Sequence, residues 1–398
     1  MPAGFRFRPP PVELTAELRW LLLRAFGPAG APPPGPVDGP LCHELARRFE
    51  LAARVAHRTG REALAAEVGP DAAARFQRDR LAAAANALSL ALVARELAET
   101  AARLGTPLVL LKFAALQWTG AAPPGSRSAL DLDVLAPAAG AGELQAALVA
   151  AGYRQAALPE HEHHLPALGH PVCGMVEVHR ALPGVRLAAG SRSATLEDLA
   201  AHALLVPCPD LPGHCAVPSP AVLAAHALAH GLAQHGSQPA AYPLLKMVAD
   251  LIDLGWAGPE AEGLEATARP LVAGDVAGQE VAAARGLAAA LAAGELPPAE
   301  SGAALLLAHA LAGRLDPDYA AAQRLDLFAA QPSDRPRATR WAGTLWRTLV
   351  LTRGQMDAVY GPPRHPGGYF LRRLARPFDL LLRFLRYRAS RRRLARRG

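Results

Sequence analysis

Two aspartates one residue apart, Asp131 and Asp133, stand inside an apolar run, Leu130-Asp131-Leu132-Asp133-Val134-Leu135. On a β-strand successive side chains face opposite ways, so both carboxylates share one face while Leu132 and Val134 turn to the core. Carboxylates held side by side repel one another unless a cation lies between them. Hard oxygen ligands on a rigid strand suit Mg²⁺, which takes one or two carboxylates plus substrate phosphates. A solvated edge strand carries the same Asp-x-Asp pattern, so the neighbouring residues have to decide between the two readings.

Three features favour a site. The segment Val176-Glu177-Val178-His179 alternates in the same way and offers a third carboxylate, Glu177, with His179 on the same face. Lys112 closes the apolar run Leu108-Val109-Leu110-Leu111, and Arg127 lies in the loop that enters the Asp strand, each within reach of a phosphate. Of 42 basic residues only Lys112 and Lys246 are lysines. A compact ammonium suits one phosphate oxygen, whereas guanidinium is a wide fork.

The histidines divide into two groups. His161, His163, His164 and His170 cluster ahead of the Glu177 strand. Zinc ligation there competes with plain loop exposure and with lining of a cleft. His226 and His230 are four apart on one helix face, but no Glu follows His226, so the metalloprotease pattern fails and packing or substrate lining remains. Asp250 either braces a helix contact or lines the cleft, and Lys246 is spaced to pair with it.

These residues need elements to hold them. Alanine-rich helices are expected over Leu14–Phe26, Leu41–Val68 and Asp71–Leu104, the last with Phe76, Leu81, Leu88, Leu92, Leu97 and Ala101 as its apolar stripe. Gly105-Thr106-Pro107 ends it. Strands follow at 108–111, 130–136, 153–156 and 174–179, with helices at 114–119 and 142–151 between them, a compact α/β unit. From Leu196 the chain reads as helix again, at 221–234, 244–255, 278–293, 302–315 and 341–356. Four scattered cysteines, Cys42, Cys173, Cys208 and Cys215, form no Cys-x-x-Cys pair, which argues against a zinc ribbon or a disulfide framework and fits a reducing compartment. The N-terminus, broken by prolines and Glu13, lacks the pattern of a signal peptide, and no uninterrupted apolar stretch of ~18 residues is present, so a cytoplasmic protein is the expectation.

The order of the motifs resembles the uncharacterised nucleotidyltransferase family, within the DNA-polymerase-β-like superfamily. Members carry a strand ending in Leu-Lys-Gly, an arginine four residues before an Asp-x-Asp strand, a Gly-Tyr, a His-rich stretch, and a strand reading hydrophobic-Glu-hydrophobic-His. The matching pieces are Leu110-Leu111-Lys112, Arg127, Asp131-Leu132-Asp133-Val134-Leu135, Gly152-Tyr153, His161-Glu162-His163-His164 and Glu177-Val178-His179. His226, His230 and His235 followed by Ala249-Asp250-Leu251-Ile252 match the family's spaced histidines and Asp-hydrophobic pair. One position departs: Phe113 stands where the family has glycine, which would crowd a backbone approach to a triphosphate.

The resemblance implies an α+β fold, a small mixed-sheet polymerase-β-like core embedded in mostly helical N- and C-terminal regions. The expected divisions are a helical region over 1–104, the core over 105–190, a helical domain over 191–335, and an extension with an Arg-rich tail over 336–398. It also implies two Mg²⁺ ions (or Mn²⁺) on Asp131, Asp133 and Glu177, with Lys112, Arg127 and His179 at the nucleotide and His163, His164, His230 and Asp250 lining the cleft. The implied reaction moves an NMP group from an NTP to a small-molecule, sugar or peptide acceptor, with pyrophosphate leaving. The alternatives are a catalytically impaired nucleotide-binding or scaffold protein, motivated by Phe113, and an RNA-directed transferase, motivated by the tail. Residues 371–398 hold eleven arginines and one aspartate, whereas the rest carries 31 basic and 34 acidic side chains. A basic amphipathic helix over 370–398 could meet an anionic membrane or nucleic acid, peripheral to an otherwise cytoplasmic body, or simply pack on that body with a solvated end.

Overall fold

The computed structural model describes residues 8–156, 163–172, 174–188, 192–234, 243–273, 276, 278–324, 349–351, 353, 356, 360, 363, 365 and 367–396. His161, Glu162, Cys173, His235 and most of the helix expected at 341–356 lie outside them.

Helix α1 (Ala16–Phe26) starts at Thr15, whose hydroxyl accepts from the Leu18 N–H. The single helix expected over Leu41–Val68 is three: α2 (Gly39–Arg48), α3 (Ala52–Thr59) and α4 (Arg61–Val68). Glu50 at φ +58° and Gly60 at φ +80° turn the chain out of the right-handed helical region. Apolar spacing stays in register across such turns, which is why periodicity misses them.

The central helix α5 (Pro70–Arg103) begins with proline at its first turn and is followed by Gly105 at φ +64°. By length and composition it could cross a membrane. Here it is a packing helix, set against α2, α3, α4 and the sheet. Its buried face is Phe76, Ala83, Ala87, Leu90, Ala94, Leu97 and Ala101. Leu81, Leu88 and Leu92, expected in that stripe, are exposed. The alanines allow close approach to neighbouring elements, and the bulkier leucines fall on the outer side.

Seven strands form one mixed sheet, in the order β3-β4-β5-β2-β1-β7-β6. They are β1 (Leu108–Leu110), β2 (Asp131–Leu135), β3 (Arg154–Gln155), β4 (Leu168–Gly169), β5 (Met175–His179), β6 (Leu205–Pro207) and β7 (Cys215–Pro218). The Asp strand β2 is central, antiparallel to β1 and parallel to β5. Strands β4, β6 and β7 were not expected. Two to four residues long, with proline in β6 and β7, they give almost no alternation to read. Helices α6 (Lys112–Trp118) and α7 (Ala141–Ala150) fill the links on either side of β2.

The remaining helices are α8 (Leu196–Ala201), α9 (Pro220–Leu228), α10 (Leu244–Asp253), α11 (Ala261–Ala268), α12 (Gly278–Ala292), α13 (Gly302–Leu315), α14 (Pro317–Arg324) and α15 (Gly368–Ala395). A π-helical segment, Ala229–Gln234, continues α9. Together these elements make the α+β architecture of a small mixed sheet among helices.

Two apolar clusters cover the two sides of the sheet. Leu108, Leu110, Leu132, Val134, Val176 and Val178 join the inner face of α5 with α6 and α7. Val109, Leu111 and Leu135 point the other way, into a cluster of N-terminal helices with α9, α10, α12 and α13. Strand alternation puts Asp131, Asp133, Glu177 and His179 on this second side, beneath the C-terminal helices.

Candidate active site

Parallel pairing of β2 and β5 sets Asp133 opposite Glu177, Asp131 opposite Met175 and Leu135 opposite His179. The acids therefore meet because two alternating strands are in register. Asp133 is buried, Glu177 half-buried, and Asp131 exposed at the open end of β2. Lys112 Nζ donates to Asp133 Oδ1 at 2.7 Å, and His179 Nε2 lies 2.8 Å from the same oxygen. The same ring nitrogen is 3.7 Å from Glu177 Oε2. Lys112 sits at φ +48°, an uncommon conformation for a residue with a Cβ, at the turn from β1 into α6.

The charges here are tightly coupled. Burial by itself would raise the Asp133 carboxyl, but the Lys112 ammonium and the His179 hydrogen bond outweigh it and hold it well below the usual range. Asp131 goes the other way: although the residue is open at the strand end, neighbouring groups partly desolvate its carboxyl, and that and then the Asp133 charge raise it, with Lys112 too weak a counterweight. The His179 hydrogen bond holds Glu177 low. Burial would lower both Lys112 and His179, yet their carboxylate partners raise them. Three carboxyl groups thus surround the single ammonium of Lys112.

Asp133, Glu177 and His179 each present a ligand atom within 4.8 Å of the other two. With Asp131 at the mouth, the donor set fits a divalent cation: carboxylate oxygens for Mg²⁺ or Mn²⁺, plus one imidazole nitrogen.

The histidine stretch reaches the same place. His164 forms a β-bridge with His179, and their rings are 5.4 Å apart. The His163 ring stacks with His179 at 6.3 Å. Burial pushes His164 down, which favours the neutral ring.

Opposite the strands, α9 and α10 supply the other wall. Lys112, Arg127, His226, His230 and Asp250, with Leu116, Leu223, Ala227 and Leu254, line a crevice of ≈ 40 Å³. That is room for water rather than a nucleoside, so a nucleotide would have to enter on the open side, over Asp131. Gly231 in the π-helical segment lets α10 approach, since a Cβ there would collide with the Met247 side chain. His226 is fully buried and its pKa is pushed down to about 3 by that burial.

Arg127 forms a two-point pair with Asp250, Nε at 2.8 Å from Oδ1 and Nη2 donating to Oδ2 at 2.9 Å. Lys246 does not pair with Asp250 as its spacing suggested. It donates to Glu50 at 2.8 Å, because its position on α10 faces the turn after α2. Phe113 is buried in the sheet core, with the Arg127 guanidinium 5.1 Å from its ring centre.

The expected residues are thus found at one place, in two tiers. Asp131, Asp133, Glu177, His179, His163 and His164 gather along β2 and β5. Arg127, His230 and Asp250 stand across the crevice, and Lys112 touches both tiers. A family model for uncharacterised nucleotidyltransferases matches residues 36–254, a span that includes every one of them. The chain belongs to this nucleotidyltransferase family. No curated protein and no solved structure matches it.

Sequence reasoning missed part of the bracing of this nucleotidyltransferase core. Asp253, one turn beyond Asp250, pairs with Arg54 of α3 at 2.7 Å, and Glu50 also accepts from Arg314. These links join positions 199 and 264 residues apart in the chain. No local pattern in the sequence carries them.

Proposed function

We propose that this chain transfers a nucleotidyl group from an NTP to an acceptor hydroxyl, with a divalent cation and with pyrophosphate as the leaving group. The observation that carries this reading is the register of β2 on β5. It places Asp133 against Glu177, with Asp131 ahead of them and Lys112 on the Asp133 oxygen.

One or two divalent ions held by Asp131, Asp133 and Glu177 would stabilise the charge on phosphate oxygens and lower the pKa of an acceptor hydroxyl. The chain's own groups do the rest. Lys112, its side chain 24% exposed and its ammonium on Asp133, would turn toward a phosphate oxygen held at the same carboxylates. Arg127 is 10% exposed and held by Asp250 and Phe113, so it first braces the loop entering β2, and it reaches phosphate only if that pair opens. Glu177 is kept ionised by His179, as a group receiving a proton from the acceptor must be. The acceptor oxygen forms a bond to the α-phosphorus, the bond from the α-phosphorus to the bridging oxygen breaks, and pyrophosphate carries that electron pair away. Phe113 turns into the core and against Arg127, which leaves the open side over Asp131 to the nucleotide.

The test is turnover of each NTP with Mg²⁺, read as NMP and pyrophosphate by chromatography, with water or an added alcohol as acceptor. Asp133→Asn and Glu177→Gln should each lower the rate by about 10³-fold or more. Turnover at the wild-type rate in Asp133→Asn would contradict the assignment.

A further inference from the structure

Helix α15 is amphipathic in an unusual sense. Leu371, Leu374, Phe378, Leu381, Leu382 and Leu385 fall within ~100° of its circumference. All six are 50–68% exposed. The opposite side faces the body: Arg376, Ser390 and Leu394 are buried there. Leu394 packs with Ala312 and Tyr319, and Arg393 pairs with Asp318 of α14 at 2.7 Å. A helix that only completed a core would turn its leucines inward. This one is held by its polar side and presents its leucines outward.

Arginines border the apolar strip. Arg386, Arg388 and Arg392 are exposed there, and Arg388 lies over the Phe384 ring. The helix has one acid, Asp379, and it is engaged by Tyr360, Arg376 and Arg383. The exposed side therefore carries leucine and phenylalanine flanked by positive charge that no acid of the helix offsets. A surface with an apolar interior and an anionic skin matches both features. Nucleic acid matches only the arginines and would leave six large apolar side chains in water.

We infer that α15 docks this protein on an anionic lipid bilayer, lying in the interface plane with the Leu371–Leu385 strip in the acyl boundary and the arginines at the lipid phosphates. The inference is independent of the nucleotidyl-transfer reading, since no residue of the strip touches that site.

The experiment is co-sedimentation of the full chain with phosphatidylcholine vesicles, with and without phosphatidylglycerol. Partition should be at least about a hundredfold stronger on the anionic vesicles. Leu374→Asp/Leu381→Asp should weaken it by more than about tenfold. Arg386→Gln/Arg388→Gln/Arg392→Gln should weaken it by about a hundredfold on anionic vesicles and leave neutral ones unchanged. Both sets change exposed positions, and unaltered circular dichroism checks that the fold is kept. Equal partition on neutral vesicles, insensitivity to the leucine changes, or retention on RNA without vesicle binding would each overturn the inference.

Discussion

Asp133 is the residue on which the site turns, because one oxygen accepts from both Lys112 and His179. Phe113 acts at one remove. A Phe113→Leu substitution keeps most of the volume but removes the ring beneath Arg127, and should weaken NTP binding by about two- to fivefold. Unchanged affinity, measured by calorimetry, would show that the ring does not steady Arg127. A second residue-scale expectation concerns acid stability. His309 is fully buried against the Tyr319 hydroxyl, and burial pushes its pKa down to about 3. The unfolded chain takes up that proton near pH ~6.5. Below that pH the unfolded state binds more protons, so stability falls as pH drops from about 6.5 towards 3, by at most ~1.4 kcal/mol per pH unit for this group. His226 adds a similar contribution. His309→Asn should therefore flatten the decline between pH 6 and 4 in urea titrations by about half of the histidine share. An unaltered slope would mean that His309 is already protonated in the folded protein.

At the scale of elements, α10 ties the two walls of the site together. Its Asp250 holds Arg127 of the loop before β2, and its Asp253 holds Arg54 of α3. Asp250→Asn would take from the buried Arg127 guanidinium the carboxylate that holds it at two points, a loss of about 3–5 kcal/mol. Its melting temperature should fall, and KM for the NTP should rise more than kcat falls, since Arg127 shapes the loop rather than touching the reacting atoms. A variant with lowered kcat and unchanged KM would place Asp250 in the chemistry itself. How much of this could be read from the sequence follows from distance along the chain. Alternation gave β2 and β5 and the side on which Asp131, Asp133, Glu177 and His179 lie, because each strand is a local pattern with a two-residue period. The strips on α5 were misread because alanine, not leucine, occupies its tight contacts. Strands β6 and β7 were too short and proline-broken to show a period. The pairings Arg127–Asp250 and Lys246–Glu50 span 123 and 196 residues, and helical spacing pointed Lys246 at the wrong partner.

For the whole molecule, helix α1 shares one apolar cluster with helices from the far end of the body. Trp20 of α1 and Trp256 beyond α10 belong to it, together with side chains of α12 and α13. The N-terminal helices are thus part of the structure that closes over the sheet rather than an appendage. Fluorescence of Trp20 and of Trp256, each isolated by replacing the other tryptophans with phenylalanine, should be lost at the same urea concentration as the far-ultraviolet dichroism. Separate midpoints would show that the two regions unfold independently. Charge is divided on the same scale: the body is near neutral, and the basic excess lies in α15. Raising salt should accordingly weaken lipid docking far more than nucleotide binding at the half-buried site.

The central claim, a cation-dependent nucleotide site on the Asp131–Asp133–Glu177 face, is tested most directly by calorimetric titration of each NTP in Mg²⁺ and in EDTA. The titrations are run on the wild type and on Asp131→Asn/Asp133→Asn. Binding should require Mg²⁺ and should vanish in the double variant while its melting profile remains cooperative. Binding that is indifferent to Mg²⁺, or that survives in the double variant, would contradict the claim.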